Sequence, residues 1–378
     1  LALVVFEDKI REEAVNSIEG CLKAGIRVLM ITGDNILTAK HVAHMVGIVK
    51  SKDDLLFTGA MLDELDDDTL KEKIHAIKVI ARANPLHKER IVKILQEKGE
   101  VVAMTGDGVN DGPALSLADI GISMGKSGTE VAREASDLVL VEDDFSDIVI
   151  AIFEARTISE NIRKTLIFLM TSAFGIVIAI LGSVVLSLPL PFLAIQILWL
   201  NFVTAGFLDV AISTEETEKG FRHYKYSRYT GTLLNAYDVS RIVVLGLYVG
   251  LITILAFFFL NKIVTIDIAR TVAMLLVSAF IWFNAINVRR NYDTVFSFNI
   301  FSNSYVLGAI AIEAVFLLGS IYFKVGNTLL HTVRVDSLYV SFFIIFAATI
   351  ITVDTLFKVT HKGVKYLSVK YLEKFFNT

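Results

Sequence analysis

The sequence predicts a mainly parallel α/β sheet domain followed by an all-α bundle of six membrane-spanning helices. Three observations carry this. Of 378 residues, 54% are hydrophobic, yet 40 acidic and 36 basic residues remain, so the apolar excess must be segregated along the chain. Residues 1–165 alternate short apolar runs with charged stretches, as a soluble domain does. Residues 166–357 are dominated by apolar runs about twenty residues long, enough to cross a bilayer as helix. A formal charge of −4 and the lack of a basic stripe exclude a nucleic-acid binder. One cysteine, Cys21, permits no intrachain disulfide and suits a cytosolic soluble half. The opening LALVVFEDK has no initiator methionine, charged leader or cleavage site, and reads as the middle of a longer protein.

In the first part, ALVVF (2–6) reads as a strand and REEAVNSIEGCLKAG (11–25) as a helix with Ala14, Ile18 and Leu22 on one face. RVLMI (27–31) and the helix ILTAKHVAHMVG (36–47) follow. HKERIVKILQEKG (87–99) leads into the strand EVVAM (100–104), and ADIGISM (118–124) leads to DLVLV (137–141). Strand–helix alternation with short connections predicts a parallel sheet with helices on both faces. Such sheets bind ligands beyond the carboxyl ends of their strands. Both conspicuous polar motifs fall there: RVLMI runs into TGD (32–34), and EVVAM runs into TGDGVND (105–111).

Glycines in the second motif let the backbone turn sharply and approach a phosphate. Asp107 and Asp111 can then reach one Mg²⁺, a hard cation that takes few carboxylates and keeps some waters. Gly112-Pro113 starts a helix behind them. Alone, the motif is equally a capped turn with solvated acids. Its companions decide the matter: Thr32 offers a hydroxyl and adjacent N–H groups, and Lys88 opens a helix after ARANPLH. A cation, a hydroxyl donor and a carboxylate pair are what phosphoryl transfer requires, since its catalysis is largely positioning and charge neutralisation.

The segments AGIRVLMITGDNILTA (24–39), ARANPLHKERIVKILQ (81–96), MTGDGVNDGPALSLADIGISMG (104–125), DLVLVEDDFSDIV (137–149) and ARTISENIRKTL (155–166) together resemble the P-type cation-transporting ATPases. These are haloacid-dehalogenase-like phosphotransferases. The resemblance implies a Rossmann-like sheet of that type, incomplete, with a partial phosphorylation domain at 1–150 and a stalk at 151–165. It further implies six helices within 166–357 and a basic cytoplasmic tail at 358–378. By the same resemblance Lys88, Thr32 and Asp107 are catalytic, and Asp107 and Asp111 hold Mg²⁺. Thr32, Gly33, Asp34, Arg82, Lys88 and Asn110 contact ATP or the phosphorylated aspartate. Gly112 stands where alanine is usual. No DKTGT, the family's nucleophile motif, occurs; Asp8-Lys9 continues as IRE. The nucleotide-binding domain, the actuator domain and the first four helices are also absent from these 378 residues. The chain alone is therefore expected not to hydrolyse ATP. The missing nucleophile is expected in an N-terminal portion or a complementary chain, the other reading being a non-catalytic membrane subunit.

Six spans are expected, at 166–188, 193–213, 242–260, 269–288, 304–323 and 337–357. Lys219, Arg222, Lys225, Arg228 and Arg241, the pair Arg289-Arg290, and Lys358, Lys362, Lys365, Lys370 and Lys374 lie on one side of them. The positive-inside rule makes that side, and both termini, cytoplasmic, in a plasma membrane. ILWLNFVTAGFLDVAIS (197–213) resembles the helix that holds the transported cation, with Asn201 and Thr204 at ligand positions. The family's usual aspartate is Ala205 here, and Ala173 and Ile176 replace an amide and a carboxylate, which leaves Ca²⁺ short of anionic ligands. Asp209 is either a cavity-facing ligand or an interfacial acid. Glu313, mid-span, is either a ligand or a structural partner. Asn284 and Asn287 read as helix–helix contacts.

Overall fold

The structure, a computed structural model, describes residues 10, 12–51, 54–216 and 233–361. The strand expected over 2–6, the basic residues Lys219, Arg222, Lys225 and Arg228, and the tail from 362 lie outside the described residues. The chain divides into two units at Ala155/Arg156.

The first unit begins with α1 (Glu12–Lys23), β1 (Met30–Ile31), α2 (Ile36–Met45), β2 (Leu55–Thr58), α3 (Gly59–Asp63), α4 (Asp67–Lys73), β3 (Ile77–Ala81) and α5 (Pro85–Glu97). Then come β4 (Ala103–Gly106), a 3₁₀ turn (Val109–Asp111), α6 (Gly112–Leu117), β5 (Ile120–Met124), α7 (Glu130–Glu134) and β6 (Leu138–Leu140). The strands form two parallel sheets of three, in the orders β1-β3-β2 and β4-β5-β6. In β3, Ile77 and Ile80 join a core with Phe57, Ile91 and Leu95, while Val79 and Ala81 join another with Ile18, Ala39 and Ala43. That two-sided burial is what a central parallel strand requires, and it explains the apolar run Val79–Ala81 of β3. Both β2 and β3 fall in a stretch that the sequence left without strands. Lys78, and the charged run before it, dilute the apolar signal there. As expected, Ile18 of α1 faces inward.

Beyond β6, the backbone of Asp143 is left-handed, with φ of +55°. Its carboxylate accepts the N–H groups of Lys126 at 2.9 Å and Ser127 at 2.8 Å. Burial pushes this carboxyl up, but those hydrogen bonds outweigh it and hold it below the usual carboxylate range.

In the second unit the helices are longer. Helix α8 (Ser146–Val185) starts before the division and runs on as the first candidate span. The second comprises α9 (Ala194–Trp199), a π-helical turn (Leu200–Ala205) and α10 (Gly206–Ser213). Next are α11 (Ala236–Leu260), α12 (Ile266–Val288), α13 (Ser304–Tyr322), the short α14 (Lys324–Leu330) and α15 (Ser337–Ala347), whose span extends to His361. Among the described residues, six helices are thus long and apolar enough to cross a membrane. Helix α12 is the central one: nearly all of its apolar window is buried against its neighbours.

Charge placement departs from a simple count of surface basics. Arg241, Arg289 and Lys358 are all buried. Arg241 Nε lies 2.7 Å from Asp354, which also binds Lys358 Nζ at 2.8 Å, and both cations donate to the Asn287 carbonyl. Arg289 Nε lies 2.8 Å from Glu215, whose carboxylate also takes Asn303 Nδ2 at 2.8 Å. These pairs fasten helix ends together across α11, α12 and α15, and from the end of α10 to the start of α13.

Two outcomes follow from these contacts. Removing one partner of a buried ion pair leaves an uncompensated charge, so Asp354→Ala should cost roughly 3–5 kcal/mol in detergent unfolding. The double variant Arg241→Met with Asp354→Leu should recover much of that loss. For Asp143, a depressed carboxyl gives stability that is present above the unfolded carboxylate range and lost as pH falls through the folded value. Asp143→Asn should therefore speed amide exchange of Lys126 and Ser127 at neutral pH, and match the parent in strong acid.

Candidate phosphoryl-transfer and cation sites

The polar motifs of the first unit gather at the carboxyl ends of its strands. Past β1, Thr32 donates its N–H to Ile80 at 2.9 Å, and its hydroxyl accepts the Asp34 N–H at 3.1 Å. The turn after β3 zips onto it: Arg82 N–H reaches the Asp34 carbonyl and Ala83 N–H reaches the Thr32 carbonyl, both at 2.9 Å. Arg82 sits at φ +51°, a left-handed position held by those two bonds. Gly33, Asp34 and Arg82 present an exposed rim.

Lys88 is delivered by α5, whose start is fixed by a capping box. Asn84 Oδ1 accepts the His87 N–H at 2.9 Å, and His87 Nδ1 accepts the Asn84 N–H at 3.1 Å. The other ring nitrogen of His87 lies 2.8 Å from Asp63. Pro85 follows the cap, where its missing N–H costs nothing. Asn84 followed three residues later by His87 was the available sequence signal for this supporting pair, which the sequence reading missed.

Lys88 Nζ lies 2.5 Å from Asp111 Oδ1. The other oxygen of Asp111 accepts the N–H groups of Asp107 and Gly108, each at 3.3 Å. Asp111 is 6% exposed, so a buried carboxylate is matched by one ammonium and two amides. Gly106 permits this fold-back, since a Cβ there would lie 2.5 Å from Asp111 Cβ. Asp107 and Asn110 are exposed at the tip. The exposed carboxyl of Asp107 has no hydrogen-bond partner among the described residues. Among the described residues no group of three or more His, Cys, Asp or Glu is set for a metal. A pair suits Mg²⁺, which relies on water and substrate phosphate for its other ligands.

In the second unit the four cation candidates do not form one hydrogen-bonded cluster. Asn201 is exposed and its amide donates to the Ile197 carbonyl at 2.9 Å, while Thr204 is buried. Both lie in the π-helical turn, where the backbone is wider than in an α-helix. Asp209 is half-buried on α10. Glu313, 2% exposed, accepts the Trp282 Nε1–H at 3.1 Å through one oxygen, and its other oxygen has no hydrogen-bond partner among the described residues. Phe207 and Phe316, with centroids 6.4 Å apart, bring α10 and α13 together beside these two acids. At the positions lacking the usual ligands, Ile176 is packed in the apolar core.

Known proteins share both units. Residues 1–119 match the haloacid dehalogenase-like hydrolases, and residues 189–360 match the family described as cation transporting ATPase, C-terminus. A calcium-transporting ATPase of Bacillus subtilis is 39% identical over 337 residues, covering 87% of this chain and 37% of that protein. The cation-transporting ATPase pma1 of Synechocystis is 40% identical over 270 residues, 71% of this chain and 30% of its own length. Calcium-transporting ATPase 1 of Saccharomyces cerevisiae is 32% identical over 361 residues, 94% of this chain and 38% of its own length. The chain thus spans between 30% and 38% of the length of these relatives. With a haloacid-dehalogenase-like region, a cation-ATPase C-terminal region and six candidate spans in one sequence, it belongs to the P-type cation-transporting ATPases and corresponds to their C-terminal part.

Proposed function

We propose that this chain supplies the Mg²⁺- and phosphate-binding wall and the last six membrane helices of an ATP-driven cation pump that works through an aspartyl phosphate. The observation that supports this most is the Lys88–Asp111 pair, set beside Asp107 at the carboxyl end of β4. Strand β1 pairs only with β3, and β4 only with β5, among the described residues. A further parallel strand between β1 and β4 would join the two sheets and carry its terminal aspartate to Thr32, Asp107 and Lys88. The sequence contains no DKTGT, so that strand is assigned to a portion outside these 378 residues, upstream or on a complementary chain.

In this reading the domain comprises residues 1–150, the stalk 151–165, the spans 166–357 and the basic tail 358–378. The aspartate of the added strand attacks the γ-phosphorus of ATP, and ADP leaves. Lys88 neutralises the transferring phosphoryl group, and Thr32 donates its hydroxyl to a phosphoryl oxygen. Gly33, Asp34, Arg82 and Asn110 border the nucleotide. Asp107, with Asp111, holds Mg²⁺, which supplies further charge neutralisation when bound. The transported ion is assigned to Asn201, Thr204, Asp209 and Glu313. Ala205, Ala173 and Ile176 stand where the family's usual aspartate, amide and carboxylate would be, which argues against Ca²⁺ and leaves a proton, a monovalent cation or an untypical site. Both termini are placed in the cytoplasm and the pump in the plasma membrane.

Joined to a DKTGT-bearing portion, the chain should form an acid-stable, hydroxylamine-sensitive phosphoenzyme from ATP. Alone it should form none, and label on the isolated chain would contradict the assignment of the nucleophile. In the joined protein Lys88→Ala should reduce phosphoenzyme formation by on the order of 10²–10³-fold. Asp209→Asn and Glu313→Gln should alter the cation that stimulates turnover while leaving ATP binding intact. An unchanged cation profile for both variants would remove those acids from the ion path.

A further inference from the structure

His87 precedes Lys88 in the first turn of α5 and makes more contacts than a helix cap needs. It is 5% exposed. Its ring Nδ1 accepts the Asn84 N–H at 3.1 Å, so that nitrogen carries no proton. The proton is therefore on Nε2, which donates to Asp63 Oδ1 at 2.8 Å. Gly59 makes room for the ring, since a Cβ there would lie 2.5 Å from His87 Cε1. The imidazole thus ties the start of α5 to both ends of α3.

Asn84, the residue that the ring holds, also anchors Lys88. Its carbonyl accepts the Lys88 N–H at 3.4 Å, and its side chain accepts the His87 N–H at 2.9 Å. Lys88 carries that placement to the loop after β4. Its Nζ lies 2.5 Å from Asp111 Oδ1, the one ion pair of this buried acid among the described residues. The second oxygen of Asp111 accepts the N–H groups of Asp107 and Gly108, so the loop depends on where the ammonium sits. A flexible four-carbon stem holds its charge in one place only if its backbone is fixed. We infer that His87 is a positioning residue for Lys88, fixing through Asn84 the backbone from which the ammonium reaches Asp111. Its bearing on phosphoryl transfer rests on the role proposed for Lys88; its effect on the loop does not.

Amide hydrogen exchange on the full chain in detergent tests this at a distance, at Asp107 and Gly108. His87→Ala should speed exchange of these two amides about tenfold, the scale of a lost cap, and leave Ile94 and Leu95 in the body of α5 unchanged. His87→Gln should restore slow exchange, because glutamine at this position also accepts the N–H of the capping residue. Lys88→Ala should speed the same amides, and the double variant should exchange no faster than Lys88→Ala alone, as expected when one residue acts through the other. In the chain joined to a DKTGT-bearing portion, His87→Ala should likewise slow phosphoenzyme formation about tenfold and add nothing to Lys88→Ala. Parent-like exchange at Asp107 and Gly108 in His87→Ala would overturn the inference, and so would a further increase in the double variant. Faster exchange at Ile94 and Leu95 as well would mean that His87 holds the whole helix rather than Lys88, and overturns it equally. If the joined parent forms no phosphoenzyme, the pump reading falls, while exchange in the chain alone still decides the role of His87.

Discussion

A buried carboxylate needs compensation, and around Asp111 that requirement organises the candidate catalytic loop. Its two oxygens are taken by the Lys88 ammonium and the amides of Asp107 and Gly108. The pair couples α5, which packs on the first sheet, to the loop that leaves the second. It also leaves Asp107 as the exposed acid at the tip. Asp111 thereby anchors the loop through Lys88 and two amides, while Asp107 stands exposed beside it. The sequence pattern of two carboxylates four residues apart does not say which is which; the hydrogen bonds do.

The membrane unit meets the same constraint differently. Arg241, Asp354 and Lys358 are withdrawn from solvent where α11, α12 and α15 meet, and Glu215 is held by Arg289 and Asn303 below α10. Net worth for such pairs is small against an apolar replacement, but either partner alone is costly. Their effect is to fix which helix ends sit together. The π-helical turn lies between α9 and α10, so the Glu215 contacts hold the helix that carries Asp209 at its far end.

Much of this was legible in the sequence because the signals were local. The strand ends at TGD and TGDGVND, the spans, and the apolar face of α1 follow from period and length alone. Lys88 and Asp111 were both singled out, but their direct pairing was not, since 23 positions separate them. Strand β2 escaped because it is four residues long and follows a charged stretch, and β3 because Lys78 interrupts it; β3 owes its burial on two faces to tertiary packing. Arg241, Arg289 and Lys358 read as surface basics, because nothing local marks an arginine whose partner lies on another helix. Asp354, 113 positions from Arg241, illustrates that limit.

The central claim is that β1 and β4 are the two edges of a gap in one larger sheet. Amide hydrogen exchange at Met30, Ile31 and Ala103–Gly106 tests it, comparing the chain alone with the chain joined to a DKTGT-bearing portion. The account predicts that these amides exchange quickly in the isolated chain and become protected when the missing strand is supplied. Equal exchange in both would show that no strand enters between them, and would contradict the assembly on which the proposed phosphoryl transfer rests.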